Sequence, residues 1–134
     1  VPGRNLIFIA HAASVAESVG AGFAWFAMHA GDHPIYPDCR PEFLQSARNA
    51  VEWSTEHRVS LRFPFISKPK ADIVVTGNEL RVPFRLTWSC YQGGDEHCGR
   101  CGTCVERAEA FAVAGVADPT SYRDAEYWKG VVMP

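Results

Sequence analysis

Four cysteines, Cys90, Cys98, Cys101 and Cys104, stand in the stretch SCYQGGDEHCGRCGTC with seven, two and two residues between them. A short turning backbone with that spacing aims four thiolates at one point, which suits tetrahedral Zn²⁺ with Zn–S bonds of about 2.3 Å. Gly93, Gly94, Gly99 and Gly102 lie between the ligands, where the chain is expected to double back through positive φ values that a Cβ resists. Two disulfides are the alternative for an oxidising compartment. An iron–sulfur cluster is the sharper rival, because C-x2-C-x2-C also opens a bacterial ferredoxin run, although here no further cysteine follows downstream and no proline comes next. The fifth cysteine, Cys39, falls outside the cluster spacing, which fits a reducing compartment.

With 134 residues, 47% apolar and 21% charged, the chain reads as a single domain, 1–134, able to bury a real core, with its zinc-binding segment at 86–115. A net charge of −2 leaves no broad basic field, so free nucleic acid is not an expected partner. No apolar run reaches membrane-span length, and the start lacks the order of parts of a signal peptide; a cytoplasmic protein with no membrane contact is expected. The chain opens on Val1-Pro2-Gly3 rather than Met, as though in the middle of a fold, so an upstream segment or a partner chain is expected.

Asn5 is a plausible N-cap for a helix through LIFIAHAASVAESV that stops at Gly20, and its apolar residues surround most of the helix, as in one that packs deeply. AGFAWFAMHA has the length and continuity of a central parallel strand covered on both faces. That places His29 to Arg40 at a carboxyl edge, where open α/β sheets bind ligands. Pro41 and Glu42 start a helix through PEFLQSARNAVEWSTE, VSLRFPF is a strand cut short by Pro64, and KADIVVTGNEL is a short helix weakened or ended by Gly77. Helix, strand, helix, strand, helix indicates an α/β fold with a parallel sheet. Thr103 with Glu106 matches a capping box for a last helix ending at Gly115, and ADPTSYRDAEYWKGVVMP reads as a surface-wrapping tail.

PGRN at 2–5, IYPDCRPEF at 35–43, KADIV at 70–74 and above all LTWSCYQGGDEHCGRCGTCVERAEAF at 86–111 resemble the 7-cyano-7-deazaguanine (preQ0) synthase family, over nearly the whole chain and in the right order. The resemblance implies a PP-loop ATPase-like (adenine nucleotide alpha-hydrolase-like) α/β fold. It implies ATP-dependent, ligase-type conversion of 7-carboxy-7-deazaguanine and ammonia to the nitrile preQ0 in queuosine or 7-deazaguanine biosynthesis. It also implies one structural Zn²⁺ on the four cysteines, ATP with Mg²⁺ in the full enzyme, and a homodimer. The family's Ser-Gly-Gly-x-Asp-Ser phosphate loop does not occur in the sequence. The chain is therefore expected to be the C-terminal portion of such an enzyme, lacking most of the ATP site by itself. His29 stands where the commoner family form has Asn, and His33, Pro34 and Ile35 replace a Tyr-Ser-Gly run. A phage-type relative that stops at the amide, or a non-catalytic zinc-bearing remnant or subunit, are the alternatives.

Within that chemistry Asp38 is the candidate acceptor for a guanine-type N1–H and amino group, and Arg40 the candidate two-pronged grip on the carboxylate; a salt bridge is the bland alternative. Tyr36 is a candidate to stack on the base, or a turn aromatic. Arg4, a cation at a helix N-terminus where the dipole favours anions, suggests an anionic ligand. His29, in a cluster with Asp32 and His33, is the candidate for acid–base assistance rather than a second metal ligand. Lys70 is the candidate to neutralise phosphate charge. Arg100 is expected to hydrogen-bond backbone carbonyls or to offset thiolate charge, and Cys39 is read as part of a binding motif rather than a nucleophile.

Overall fold

Pro2 and Gly3 turn the chain into helix α1 (Arg4–Ser18), with Gly3 as N-cap at φ 67 in the left-handed region. The computed structural model describes residues 1–132; Met133 and Pro134, the end of the expected tail, lie outside the described residues. Two units are present, Val1–Pro69 and Lys70–Pro134.

In the first unit Asn5 is not the cap. It lies one residue inside α1, and its backbone N–H is taken instead by a distant carboxylate, Asp38 Oδ2, at 2.9 Å. The helix closes through Gly20 (φ 72), with Gly20 N donating to Glu17 O and Ala21 N to Ala16 O, the paired bonds of a Schellman motif. Only the stripe Ile9, Ala13, Ala16 is buried, whereas Leu6, Ile7, Phe8 and Val15 are about half exposed or more. The deep packing expected of a helix apolar around most of its surface is therefore not found among the described residues. Periodicity shows that residues are apolar, but coverage depends on what else is packed there.

The sheet is parallel and two-stranded. β1 (Phe23–Trp25) pairs with β2 (Ser60–Arg62) through Phe23↔Ser60, Ala24↔Leu61 and Trp25↔Arg62. Ala24 and Leu61 point into the core, while Phe23 and Trp25 point out, so the strand expected over 21–30 is short and covered on one face. Between the strands runs α2 (Pro41–Ser54), opened by Pro41 at its first turn and burying Leu44, Ala47 and Val51. It stops at Thr55, whose Oγ1 donates to Val51 O and accepts from Val59 N. Ile9, Met28, Cys39, Val59 and Phe63 complete this core.

The second unit packs α3 (Lys70–Glu79) against α4 (Gly102–Ala114) through Val74, Ala110 and Phe111, with Phe84 edge-on to Phe111 at 4.9 Å. Gly77 does not end α3. It is buried, and a Cβ there would lie 2.6 Å from the Phe84 ring, so close packing rather than helix termination accounts for it. The expected capping box of α4 is also absent: Cys101 is the N-cap without a side-chain bond, and Thr103 Oγ1 donates to Ser89 O instead. Gly115 (φ 66) ends α4 as expected, and a short α5 (Tyr127–Val132) follows.

Candidate functional site

The loop from Cys90 to Cys104 brings the four sulfurs within 4.8 Å of one another. Cys101 Sγ and Cys104 Sγ are 3.4 Å apart, and Cys98 Sγ and Cys104 Sγ 3.9 Å. A regular tetrahedron with Zn–S arms of ~2.3 Å has edges of about 3.8 Å, so the donor set fits a four-coordinate thiophilic ion. Gly93 (φ 68), Gly94 (φ 88) and Gly99 (φ 77) make the reversals the spacing demanded. Gly102 does not belong with them, since it is the first residue of α4 and has no positive φ.

Backbone N–H groups point at the sulfurs. Gln92 N and Cys98 N donate to Cys90 Sγ, and Arg100 N and Cys101 N to Cys98 Sγ, all at 3.3 to 3.4 Å. Such bonds favour the thiolate, which is the form that binds metal. For Cys90, the bond from Cys98 N leads the effects that hold its thiol below the usual range. For Cys101, burial opposes ionisation, yet the Thr103 hydroxyl and the N–H groups of Tyr91 and Cys104 outweigh it and bring the thiol down to about 6. Cys104 is pushed up, by burial first and by its neighbouring thiols.

Two residues in and beside this loop, His97 and Arg107, were not singled out in the sequence reading. His97 is buried, stacks on Trp88 at 4.1 Å and accepts from Ser89 N through Nε2, while burial and then the Arg107 charge hold it below the usual histidine range. Trp88 Nε1 donates to Cys90 O. Arg107, 8% exposed, donates to the hydroxyls of Thr120, Thr87 and Ser89 and to Phe84 O, and sits 3.6 Å from Asp118. A signal existed: Cys104, Arg107, Ala108 and Phe111 share one buried face at helical spacing, and an arginine in such a face needs partners. Arg100 does not act on the thiolates through its side chain; its guanidinium grips Asp124 with Nε and Nη2 at 2.9 and 2.8 Å. Lys70 opens α3 and is ion-paired with Glu106.

The remaining expected site residues gather in the first unit, where the loops after the two parallel strands meet through Ala30 N donating to Lys68 O at 3.0 Å. His29 is buried inside its own turn: Nδ1 accepts from Gly31 N, Asp32 Oδ2 accepts from His29 N, and Nε2 lies 3.6 Å from Asp32. No metal cluster involving His29, Asp32 and His33 forms among the described residues. Asp38 caps α1, and next to it Cys39 Sγ accepts from Asn5 Nδ2 at 3.2 Å. The Cys39 thiol is pushed up to about 11, by burial first and then by the charges of Asp32 and Asp38, against Arg4 and Asn5. Arg4, Asp38 and Cys39 thus share one neighbourhood at the start of α1. Arg40 is exposed, with Nε donating to His33 O at 3.0 Å, and does not pair with Asp38. Tyr36 is exposed.

No helix among the described residues is long and apolar enough to cross a membrane. The model of the family described as "Queuosine biosynthesis protein QueC" matches residues 1–115. Proteins named "7-cyano-7-deazaguanine synthase" from Brucella ovis, Brucella suis and Brucella melitensis are 50% identical over 135 residues, covering 99% of this chain and 58% of each relative. The chain therefore spans less than two thirds of the length of these relatives. A family match over most of the chain, with half of all aligned positions identical and a cysteine cluster that could hold a metal ion, leads to one conclusion: the chain belongs to the QueC family of queuosine biosynthesis proteins.

Proposed function

We propose that this chain is the base-binding and metal-bearing portion of a cytoplasmic, ATP-dependent 7-cyano-7-deazaguanine synthase, a ligase-type enzyme of PP-loop fold. It would convert 7-carboxy-7-deazaguanine and ammonia to the nitrile as a homodimer. The observation that carries the reading is the 50% identity to synthases along 99% of the chain. Since the chain matches 58% of those relatives, the phosphate-binding loop and the Mg²⁺–ATP site are assigned to the rest of the enzyme. Cys90, Cys98, Cys101 and Cys104 would hold one Zn²⁺, whose contribution is structural: it ties the loop to α4 and adds its binding energy to folding.

In this reading the edge after β1 receives the deazaguanine. Arg40, exposed and held by one bond to His33 O, has its two terminal nitrogens available for the substrate carboxylate. Asp38 offers the base a carboxylate already fixed by its bond to Asn5 N. Tyr36 stacks on the base, and Arg4 adds positive charge at the same helix start. His29 assists proton transfer as an amide is dehydrated, and Lys70 neutralises phosphate charge. Activation of a carboxylate requires charge stabilisation where the phosphoryl group leaves, the role this reading gives Lys70.

The test is binding of 7-carboxy-7-deazaguanine by calorimetry, in a protein completed to the length of the relatives. Asp38→Asn and Arg40→Lys should weaken binding of the deazaguanine far more than binding of ATP. Losing an acceptor on a buried base edge costs on the order of 1 to 3 kcal/mol, and a lysine cannot reproduce the fork of an arginine. Normal affinity in both variants, with only a lower melting temperature, would make Asp38 a helix cap and no more. Mass analysis of the product separates nitrile from amide.

A further inference from the structure

We propose that the segment Asp118–Tyr127 is a strap that positions the backbone of the cysteine loop and so sets how tightly the metal is retained. The inference rests on the reading that the four thiolates hold a metal. The strap lies beyond residues 1–115, which the family model matches.

The strap grips the loop at consecutive points. His97 N donates to Ser121 O at 3.2 Å and Arg123 N donates to His97 O at 2.8 Å, so both backbone groups of His97 are taken by the strap. Ser121 Oγ donates to Glu96 Oε1 at 2.8 Å. Gly99 passes so close that a Cβ would lie 2.0 Å from Asp124 O. Asp124 then takes the Arg100 guanidinium with one oxygen and accepts from Tyr127 N with the other. Tyr122 packs against the cysteines, and its hydroxyl donates to Asp118 Oδ2 at 2.7 Å.

The gripped residues are 96, 97, 99 and 100, and the N–H groups that reach the sulfurs come from residues 98, 100 and 101 of the same turn. The two peptide planes that flank His97, the second of which carries Cys98 N–H, cannot rotate without breaking strap bonds, and the planes after it are confined by the close approach of Asp124 O to Gly99 and by the Arg100–Asp124 pair, so the strap holds those N–H groups on Cys90 and Cys98. Groups of this kind offset charge on a four-thiolate site and orient its ligands. Asp124, Tyr122 and Gly99 are positioning residues: they act on the metal through the loop.

The test uses the full chain loaded with Zn²⁺, with release to a chromophoric chelator followed in buffer without denaturant. Co²⁺ loading gives the thiolate charge-transfer spectrum, and tryptophan fluorescence gives the global unfolding rate. Asp124→Ala and Gly99→Ala should release Zn²⁺ about 10-fold faster or more, the usual scale for outer-shell partners of a metal site. Asp124→Asn, which keeps an acceptor, should fall between them and the wild type, and the Co²⁺ spectrum of Asp124→Ala should shift. Lys129→Ala, whose ion pair is with Glu126, should release at the wild-type rate. If Gly99→Ala fails to fold, Asp124→Ala carries the test. Release from Asp124→Ala at the wild-type rate, an unshifted spectrum, or acceleration only in step with unfolding would overturn the strap. A folded wild type that takes up no metal would overturn the metal reading itself, and the strap with it.

Discussion

Replacing Arg107 by Ala removes a guanidinium that is 8% exposed and bonded to Thr120 Oγ1 at 2.8 Å, Thr87 Oγ1 at 2.7 Å, Ser89 Oγ at 3.3 Å and Phe84 O at 3.2 Å. Thr87 is exposed and regains water easily, so its loss counts little. Asp118 does not: its side chain is 15% exposed, and it would keep its bonds from Tyr122 Oη and Thr120 N but lose the opposite charge 3.6 Å away. Removing one partner of a buried pair costs about 3–5 kcal/mol, and the two bonds that Asp118 retains place the expected loss near the lower end, ~3 kcal/mol. Against a typical total of ~5–15 kcal/mol, that is a large fraction. In urea, with a slope of ~1–3 kcal/mol/M, the midpoint should fall by roughly 1–3 M. Arg107→Lys keeps the charge but not the fork and should lose about half as much. The decisive measurement is the double-mutant cycle with Asp118→Ala. The pair should show a coupling of ~1 kcal/mol or more, and strictly additive losses, or a midpoint shift below ~0.3 M for Arg107→Ala, would refute the reasoning.

Gly77→Ala should destabilise by about 1–3 kcal/mol although alanine favours helix, because its Cβ would sit 2.6 Å from the Phe84 ring; Phe84→Leu in the same chain should recover much of the loss in thermal melts. Cys98→Ser should abolish stoichiometric zinc by elemental analysis and lower the melting temperature, whereas retained zinc at full stability would remove the four-thiolate assignment. Cys39 gives a pH signature. With its thiol pushed from 9.0 to about 11 in the fold, the unfolded chain gives up that proton first. Stability should therefore be unaffected below about pH 8 and fall as pH rises from 9 to 11, by at most ~2–3 kcal/mol relative to Cys39→Ala in parallel urea titrations.

The cysteine spacing was enough to point to four sulfurs meeting, because so few residues separate them and the glycines permit the reversals that bring them together. The parallel α/β class and most helix boundaries were equally legible, since Pro41, Gly20 and Gly115 act on their own backbone, whatever surrounds it. The sequence could not say which polar groups spend themselves on structure. Asp38, read as a base acceptor, also accepts from Asn5 N at the start of a helix that begins 34 residues earlier in the chain, a structural task that no local pattern announces. Thr103 and Glu106 have the capping-box spacing, but Ser89 O and Lys70 take their side chains instead. Arg107 and the Asp124 grip on Arg100 join residues 13 to 24 apart, a distance over which no local rule operates. Local preferences are worth tenths of a kcal/mol to about 1 kcal/mol, so a buried charge or a long-range hydrogen bond outweighs them wherever tertiary packing brings one within reach.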